Sequence, residues 1–317
     1  MEEKKLITVF GATGAQGGGL VRAILNDPQT AFRVRAVTRD RNSERARVLE
    51  SLGAEIFELD LVNGYEAVRR SLEGAFGAFF VTFYWHHTSP ERELLEAEMM
   101  AKAAKEANVR HVIWSSLEDT REFISPNDER FPTIGGKYKV PHFDGKGEAD
   151  HYFKEYGVPT TFLYASFYWE NFIHFGMEPK RDEHGTLTLN LPLRNKKMAG
   201  IAAEDIGRCA YGIFKAGDEY IGKTVGVAGE QLTGDEYAEG LEKALNEKIL
   251  YRPLTASQFR SLGFPAAEDL GNMFQFYDEF EQPLNNIRDV ALSRILNPAL
   301  RTFSQWVEEN HHRIPLN

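Results

Sequence analysis

The 317-residue chain has a single cysteine, Cys209. No intrachain disulfide can form, and a cysteine-based zinc site is excluded. No apolar run approaches the ~20 residues that span a bilayer, so no membrane-crossing helix is expected. The first residues are charged and then strand-like rather than leader-like, which makes a cytoplasmic location the expectation. Basic residues are in deficit: 37 Lys and Arg face 47 Asp and Glu, a formal net charge of −10. That balance speaks against direct binding to nucleic acid or an anionic membrane, while leaving room for a local basic pocket. Internal repeats and low-complexity tracts are also absent. What is there is an ordinary globular composition, 42% hydrophobic and 26% charged. It suits one large α/β unit, or a ligand domain with a smaller companion.

The most informative stretch lies near the start. Lys4-Lys5-Leu6-Ile7-Thr8-Val9-Phe10 is a β-rich run leading into Gly11-Ala12-Thr13-Gly14-Ala15-Gln16-Gly17, followed by helix-compatible Leu20, Val21, Ala23, Ile24 and Leu25. A strand, a glycine turn and a helix in that order aim unpaired backbone N–H groups and the positive end of a helix dipole at an anion. Gly11 permits the tight turn, Gly14 lets a pyrophosphate approach the backbone, and Gly17 lets helix and strand pack closely. Thr13, Ala15 and Gln16 complete the turn as cofactor contacts. The unit reads as a dinucleotide site.

Further β-rich runs at 32–38, 55–59, 77–82, 112–115 and 160–164 alternate with helical stretches at 18–26, 43–52, 65–72, 92–107 and 147–156. Asn42-Ser43-Glu44 and Ser89-Pro90-Glu91 read as helix starts. Such alternation predicts an α/β protein with a doubly wound parallel sheet, whose strand ends share one ligand-binding edge. The second half is less regular, with strand-like runs at 184–191 and 224–228 and helical ones at 203–211, 233–245, 256–262 and 298–310. The stretch 264–283 carries Phe274, Phe276, Tyr277 and Phe280, either as packing core or as the wall of a substrate pocket. The expected division is a cofactor domain at 1–165, with 200–228 returning to it, and a smaller α+β domain at 166–317. Segment 118–139 holds Pro126, Pro132, Gly135 and Gly136 and is long enough for a functional loop.

The second strand ends at Val37-Thr38-Arg39, with Arg41 close behind, where NAD-binding units commonly place an acid. A guanidinium fork suits a 2′-phosphate dianion that a carboxylate would repel, so NADP(H) is expected over NAD(H). Asp40 is a complication, since it could hydrogen-bond a bare ribose. At the end of the third strand Asp60, with the N–H of Leu61, could read an adenine amino group; capping a turn is the competing role. Thr82, Phe83 and Tyr84 end the fourth strand, near the expected phosphates and adenosine ribose.

With these residues assembled, the chain resembles the NmrA-like, HSCARG-type group of atypical short-chain dehydrogenase/reductases. The resemblance rests on the 11–17 turn, Val37-Thr38-Arg39, Phe80-Val81-Thr82-Phe83-Tyr84-Trp85, His142-Phe143-Asp144-Gly145-Lys146-Gly147-Glu148 and Tyr168-Trp169-Glu170-Asn171. It implies a Rossmann domain, a smaller C-terminal domain and an NADP preference. It also implies that Arg39 meets the 2′-phosphate, and that Lys146, Tyr168, Trp169, Glu170 and Asn171 lie beside the ribose–nicotinamide half.

Competent short-chain reductases carry Tyr-x-x-x-Lys, a spacing that stacks both side chains on one helix face. Here the lysine is Lys146 and the tyrosine position holds His142, which can either shuttle protons near neutral pH or pack at a helix start. Ser115 at the end of the fifth strand and Tyr138 are the other catalytic candidates, and His86 and His87 could line a pocket. Tyr211 and Lys215 match the four-residue spacing by chance and should lie far from the nicotinamide. His311 and His312 are adjacent and point apart, so no metal site is expected. The missing tyrosine favours an NADP(H)-responsive regulator acting on a protein partner. The alternative is an NADPH-dependent reductase of a small hydrophobic carbonyl, quinone or enone; a homodimer is left open.

Overall fold

The computed structural model describes residues 3–316. The first half runs β1 (Lys5–Val9), α1 (Ala15–Leu25), β2 (Phe32–Thr38), α2 (Glu44–Ser51), β3 (Glu55–Glu58), α3 (Tyr65–Ser71), β4 (Gly77–Phe80), α4 (Pro90–Glu106), β5 (His111–Ser116), α5 (Pro141–Glu155) and β6 (Thr160–Tyr164). Then follow β7 (Phe167–Tyr168), α6 (Asn171–His174), β8 (Lys180–Arg181), β9 (Leu187–Leu189), β10 (Met198–Ile201), α7 (Ala203–Lys215), β11 (Thr224–Gly226) and β12 (Glu230–Leu232). The chain ends with α8 (Gly234–Leu245), β13 (Ile249–Tyr251), α9 (Ala256–Arg260), α10 (Ala267–Glu279), α11 (Glu281–Ile287), α12 (Val290–Leu296) and α13 (Phe303–Asn310).

Seven strands form one sheet in the order β11-β6-β5-β4-β1-β2-β3, every pairing parallel. This is the doubly wound sheet that the alternation predicted. The helix starts are built as read: Ser43 and Ser89 each accept a hydrogen bond from the N–H three residues on, and Pro90 opens α4. β4 and β5 are buried along their whole length because helices cover both faces of the sheet. On one face Ile7, Val9, Leu20 and Val21 pack with Ile206, Cys209 and Ile213 of α7. On the other, Phe10, Phe80 and Trp114 pack with Met100 and Phe153. Helix α7 lies so close to α1 that a Cβ on Gly207 would run into the backbone at Gln16 and Leu20.

The second half builds two three-stranded sheets, β12-β10-β7 and β13-β9-β8. They enclose a third core of Trp169, Phe172, Leu187, Tyr237, Phe274 and Trp306, joined by Phe143 from α5. The aromatic stretch at 264–283 contributes Phe274, Phe276 and Tyr277 of α10 to this core.

The structure shifts the expected starts of α5 and α13. Helix α5 begins at Pro141, ahead of the expected 147, because Gly145 and Gly147 do not break it: they admit the backbone of Pro90 and Asp119 against the helix. Helix α13 begins at Phe303 rather than 298, where Thr302 and Gln305 form a reciprocal cap. Segment 118–139 is tied down at several points. Asp144 accepts from the N–H groups of Thr120, Lys139 and Val140, and the Lys139 ammonium binds two loop carbonyls and Thr133. Among the described residues no helix is long and apolar enough to cross a membrane.

Candidate functional site

The chain fills the sheet outward from β1 through β2 to β3, then crosses over to β4 on the other side of β1. A crevice opens at such a reversal, beyond the carboxyl ends of the strands. Gly11 follows β1 with φ of +61°, and its carbonyl accepts from the Gly14 N–H at 2.8 Å. A Cβ on Gly17 would lie 2.5 Å from the Gly11 oxygen, so only glycine fits there. The α1 N-terminus has neither a capping side chain nor an acidic residue in its first turn. Its dipole and its N–H groups are therefore left for an anion.

Beside this cradle lies a cationic end of β2. Arg33 and Arg35 pair with Glu55, whereas Arg39, Arg41 and Arg45 have no ion-pair partner among the described residues. All three are exposed, and the Arg45 guanidinium reaches the Thr13 carbonyl at 3.4 Å. Asp40 is occupied locally, accepting from the Asn42 N–H at 2.8 Å. Asp60 takes up its competing role as well, its Oδ1 accepting from the Val62 N–H and capping its own turn. Leu61 opens the short turn that Asp60 caps, and Phe83 stands 57% exposed at the end of β4.

The other half of the crevice is lined by α5. His142 is in its first turn and Lys146 one turn on, on the same face. The His142 Nδ1 lies 2.6 Å from Asp269 Oδ1, and the second Asp269 oxygen faces the His142 N–H at 3.3 Å. A carboxylate only accepts, so Nδ1 carries a hydrogen and Nε2 is left without a protein partner among the described residues. Trp85 covers the imidazole at 4.8 Å between centroids, and Tyr84 flanks it at 5.9 Å. Burial, with Asp269 and Glu93 nearby, pushes the Tyr84 phenol well above its usual range and keeps it neutral. Lys146 Nζ sits 2.6 Å from Thr82 Oγ1 and 3.2 Å from Glu93. One further turn along, Asp150 accepts from Trp114 Nε1, Ser116 Oγ and the Tyr164 hydroxyl, fastening α5 to β5 and β6. Burial pushes its carboxyl up to about 7 despite those three donors.

Other expected site residues serve as supports. Ser115 donates to Gln16 Oε1 at 2.8 Å, and Gln16 donates in turn to the Tyr168 hydroxyl, which burial pushes up to about 12. Trp169 is fully buried against Phe303 and Trp306, and Glu170 accepts from the Ala203 N–H and Trp306 Nε1. The expected cofactor contacts of Trp169 and Glu170 are thus corrected: one side chain is core, the other holds the N-terminus of α7. Asn171 opens α6. The Tyr138 hydroxyl accepts from Lys137 Nζ at 3.3 Å and makes no hydrogen bond to His142 or Lys146 among the described residues. Tyr211 bonds Asp27 at 2.7 Å on the far side of α1, as its position implied. No cluster of three metal-ligating side chains occurs among the described residues. Sequence reasoning missed Asp269, Glu93 and Arg45. Asp269 and Glu93 are ordinary first-turn helix acids with nothing local to mark them, whereas Arg45 sits four residues past Arg41 and was within reach of the same reasoning.

Residues 3–307 match the family model described as the NmrA-like family. The chain belongs to that family. It is 31% identical over 86% of its length to the NmrA-like family domain-containing oxidoreductase FrzB of Cladobotryum sp, covering 83% of that protein. A similar protein, the oxidoreductase malD of Malbranchea aurantiaca, is 30% identical over 78% of this chain and 75% of its own. Among solved structures, the negative transcriptional regulator NmrA in complex with NADP superposes with a TM-score of 0.79 at 24% identity, over 97% of this chain and 95% of that one. A triphenylmethane reductase of Citrobacter sp. superposes at 0.73 with 19% identity, over 96% and 98%. At those identities the two structures establish the NmrA-like fold.

Proposed function

We propose that this NmrA-like protein binds NADP(H) and reduces a small hydrophobic carbonyl, quinone or enone, with His142 as proton donor. The observation that carries the reading is the Asp269–His142 pair on the helix face that also presents Lys146. The residues present suit the cofactor. The uncapped α1 N-terminus and the space kept by Gly17 would take the pyrophosphate, Arg39, Arg41 and Arg45 the 2′-phosphate, and Lys146 the ribose of the nicotinamide half. The nicotinamide supplies a hydride when bound. Asp269 accepts from Nδ1 and holds the ring so that Nε2 is the nitrogen free to exchange the proton. Trp85 and Tyr84 shield the imidazole from water and offer flat apolar surface to the substrate.

A regulator could work by ordering segment 118–139 when the cofactor binds. That segment is already fastened through Asp144, Lys139 and Asn272, which favours catalysis. Oxidoreductase relatives at 30% and 31% identity point the same way. An NADPH-oxidation screen over quinones, aldehydes and enones, with H142A and K146A as controls, tests the reading. Turnover lost in both variants is expected. NADPH binding without turnover across the panel would return the protein to the regulatory class.

A further inference from the structure

Thr82, Lys146 and Glu93 meet where the end of β4 passes between α4 and α5. Glu93 lies in the first turn of α4 and is wholly buried, a position a carboxylate holds only when its charge is matched. Its Oε2 accepts from the Thr82 hydroxyl and from Lys146 Nζ. The ammonium has three donors: one goes to Thr82 Oγ1, one to Glu93, and the third has only the Thr82 carbonyl at 3.5 Å. That third donor is the one left for a ligand at the strand edge.

The opposite side of Glu93 is unusual. Its Oε1 has no partner among the described residues, and neither has His87 Nε2, 4.0 Å away. His87 Nδ1 accepts from the Ser89 N–H at 3.1 Å, so the neutral ring carries its hydrogen on Nε2, turned toward Oε1. The gap is too long for a direct bond and is the span that one bridging water or a slight closure would satisfy. Burial lowers the proton affinity of His87 and keeps this neutral tautomer in place.

We propose that Glu93 is the positioning residue of Lys146, with His87 anchoring the second oxygen of the same carboxylate. The ligand of the third ammonium donor, a ribose hydroxyl, rests on the NADP(H) reading; the grip on Lys146 does not. A thiol-free acylating reagent, a small N-hydroxysuccinimide ester, reports Lys146 directly when followed by peptide mass spectrometry on the intact folded protein. In E93Q, which keeps shape and removes charge, Lys146 loses its charged anchor and acylates about five-fold faster. E93D recovers part of the wild-type rate. T82V removes the bridging hydroxyl and gives a smaller rise; it decides the question if E93Q does not fold. Calorimetry with NADPH shows about tenfold weaker binding in E93Q. Equal acylation in wild type, E93Q and T82V overturns the proposal. A labelling response in a wild-type protein that binds no NADPH would uphold the grip and defeat the cofactor reading instead.

Discussion

The two ends of the crevice treat positive charge in opposite ways. On the α5 side each cation-forming group has a buried carboxylate: Asp269 for His142 and Glu93 for Lys146. At the end of β2, the guanidinium groups of Arg39, Arg41 and Arg45 are exposed and have no carboxylate partner among the described residues, although those of Arg33 and Arg35 on the strand do. A buried pair fixes a side chain in one place, which suits chemistry. An exposed guanidinium without a partner keeps its charge for a ligand, which suits recognition of a phosphate. What sets these three arginines apart is their place beside the glycine turn, where the Arg45 guanidinium reaches the Thr13 carbonyl.

Breaking the buried end should have the largest effect. H142A is expected to lower turnover on the order of 10²–10⁴-fold, with NADPH affinity nearly unchanged. D269N keeps the shape but reverses the preferred tautomer, so it should fall short of H142A by less than tenfold on the order of general-base effects. Turnover indifferent to D269N would remove the pairing from the mechanism. At the exposed end, R39A with R41A is expected to weaken NADPH by about tenfold per residue, or ~1.4 kcal/mol each, and to leave NADH untouched. That loss should shrink as salt rises, because exposed charges are screened.

A buried histidine bonded to a hydroxyl rather than a carboxylate sharpens the contrast. His111 lies in β5 with Nε2 2.8 Å from Thr161 Oγ1, and burial lowers it to about 4. The folded state keeps this ring neutral while the unfolded chain takes up a proton below about 6.5, so stability falls as pH drops from about 6.5 to about 4. The full window is worth about 3 kcal/mol at most. Asp150 opposes it, since a carboxyl raised to about 7 costs stability as pH climbs from about 4 to 7. Denaturant melts of wild type and H111Q across that range separate the two: the variant should lose the acid-side decline and keep the other slope. The smallest effect belongs to D60A. With its carboxylate spent on one turn, it should lose about 0.5–1 kcal/mol of stability and change NADPH affinity less than two-fold.

Much of this architecture was legible because it is local. The strand, the glycine turn and α1 are contiguous, Ser43 and Ser89 cap the helices they precede, and Arg39 directly follows the last residue of β2. Gly145 and Gly147 misled, since a glycine that admits a neighbouring backbone looks the same in sequence as one that ends a helix. The partners of the reactive side chains were not legible at all. Asp269 reaches His142 across 127 positions and Glu93 reaches Lys146 across 53, and no spacing rule connects first-turn acids of separate helices to α5. Trp169 and Glu170 were misplaced for the same reason: their partners Trp306 and Ala203 arrive only through tertiary packing.

Isothermal calorimetry of the wild-type protein with NADPH and with NADH, each at low and high salt, tests the division of labour most directly. The arginine-lined end predicts tighter binding of NADPH, with an advantage that narrows in salt and shrinks sharply in the R39A/R41A double variant, where Arg45 alone remains. Equal affinity for the two nucleotides at low salt, or no heat with either, would contradict it.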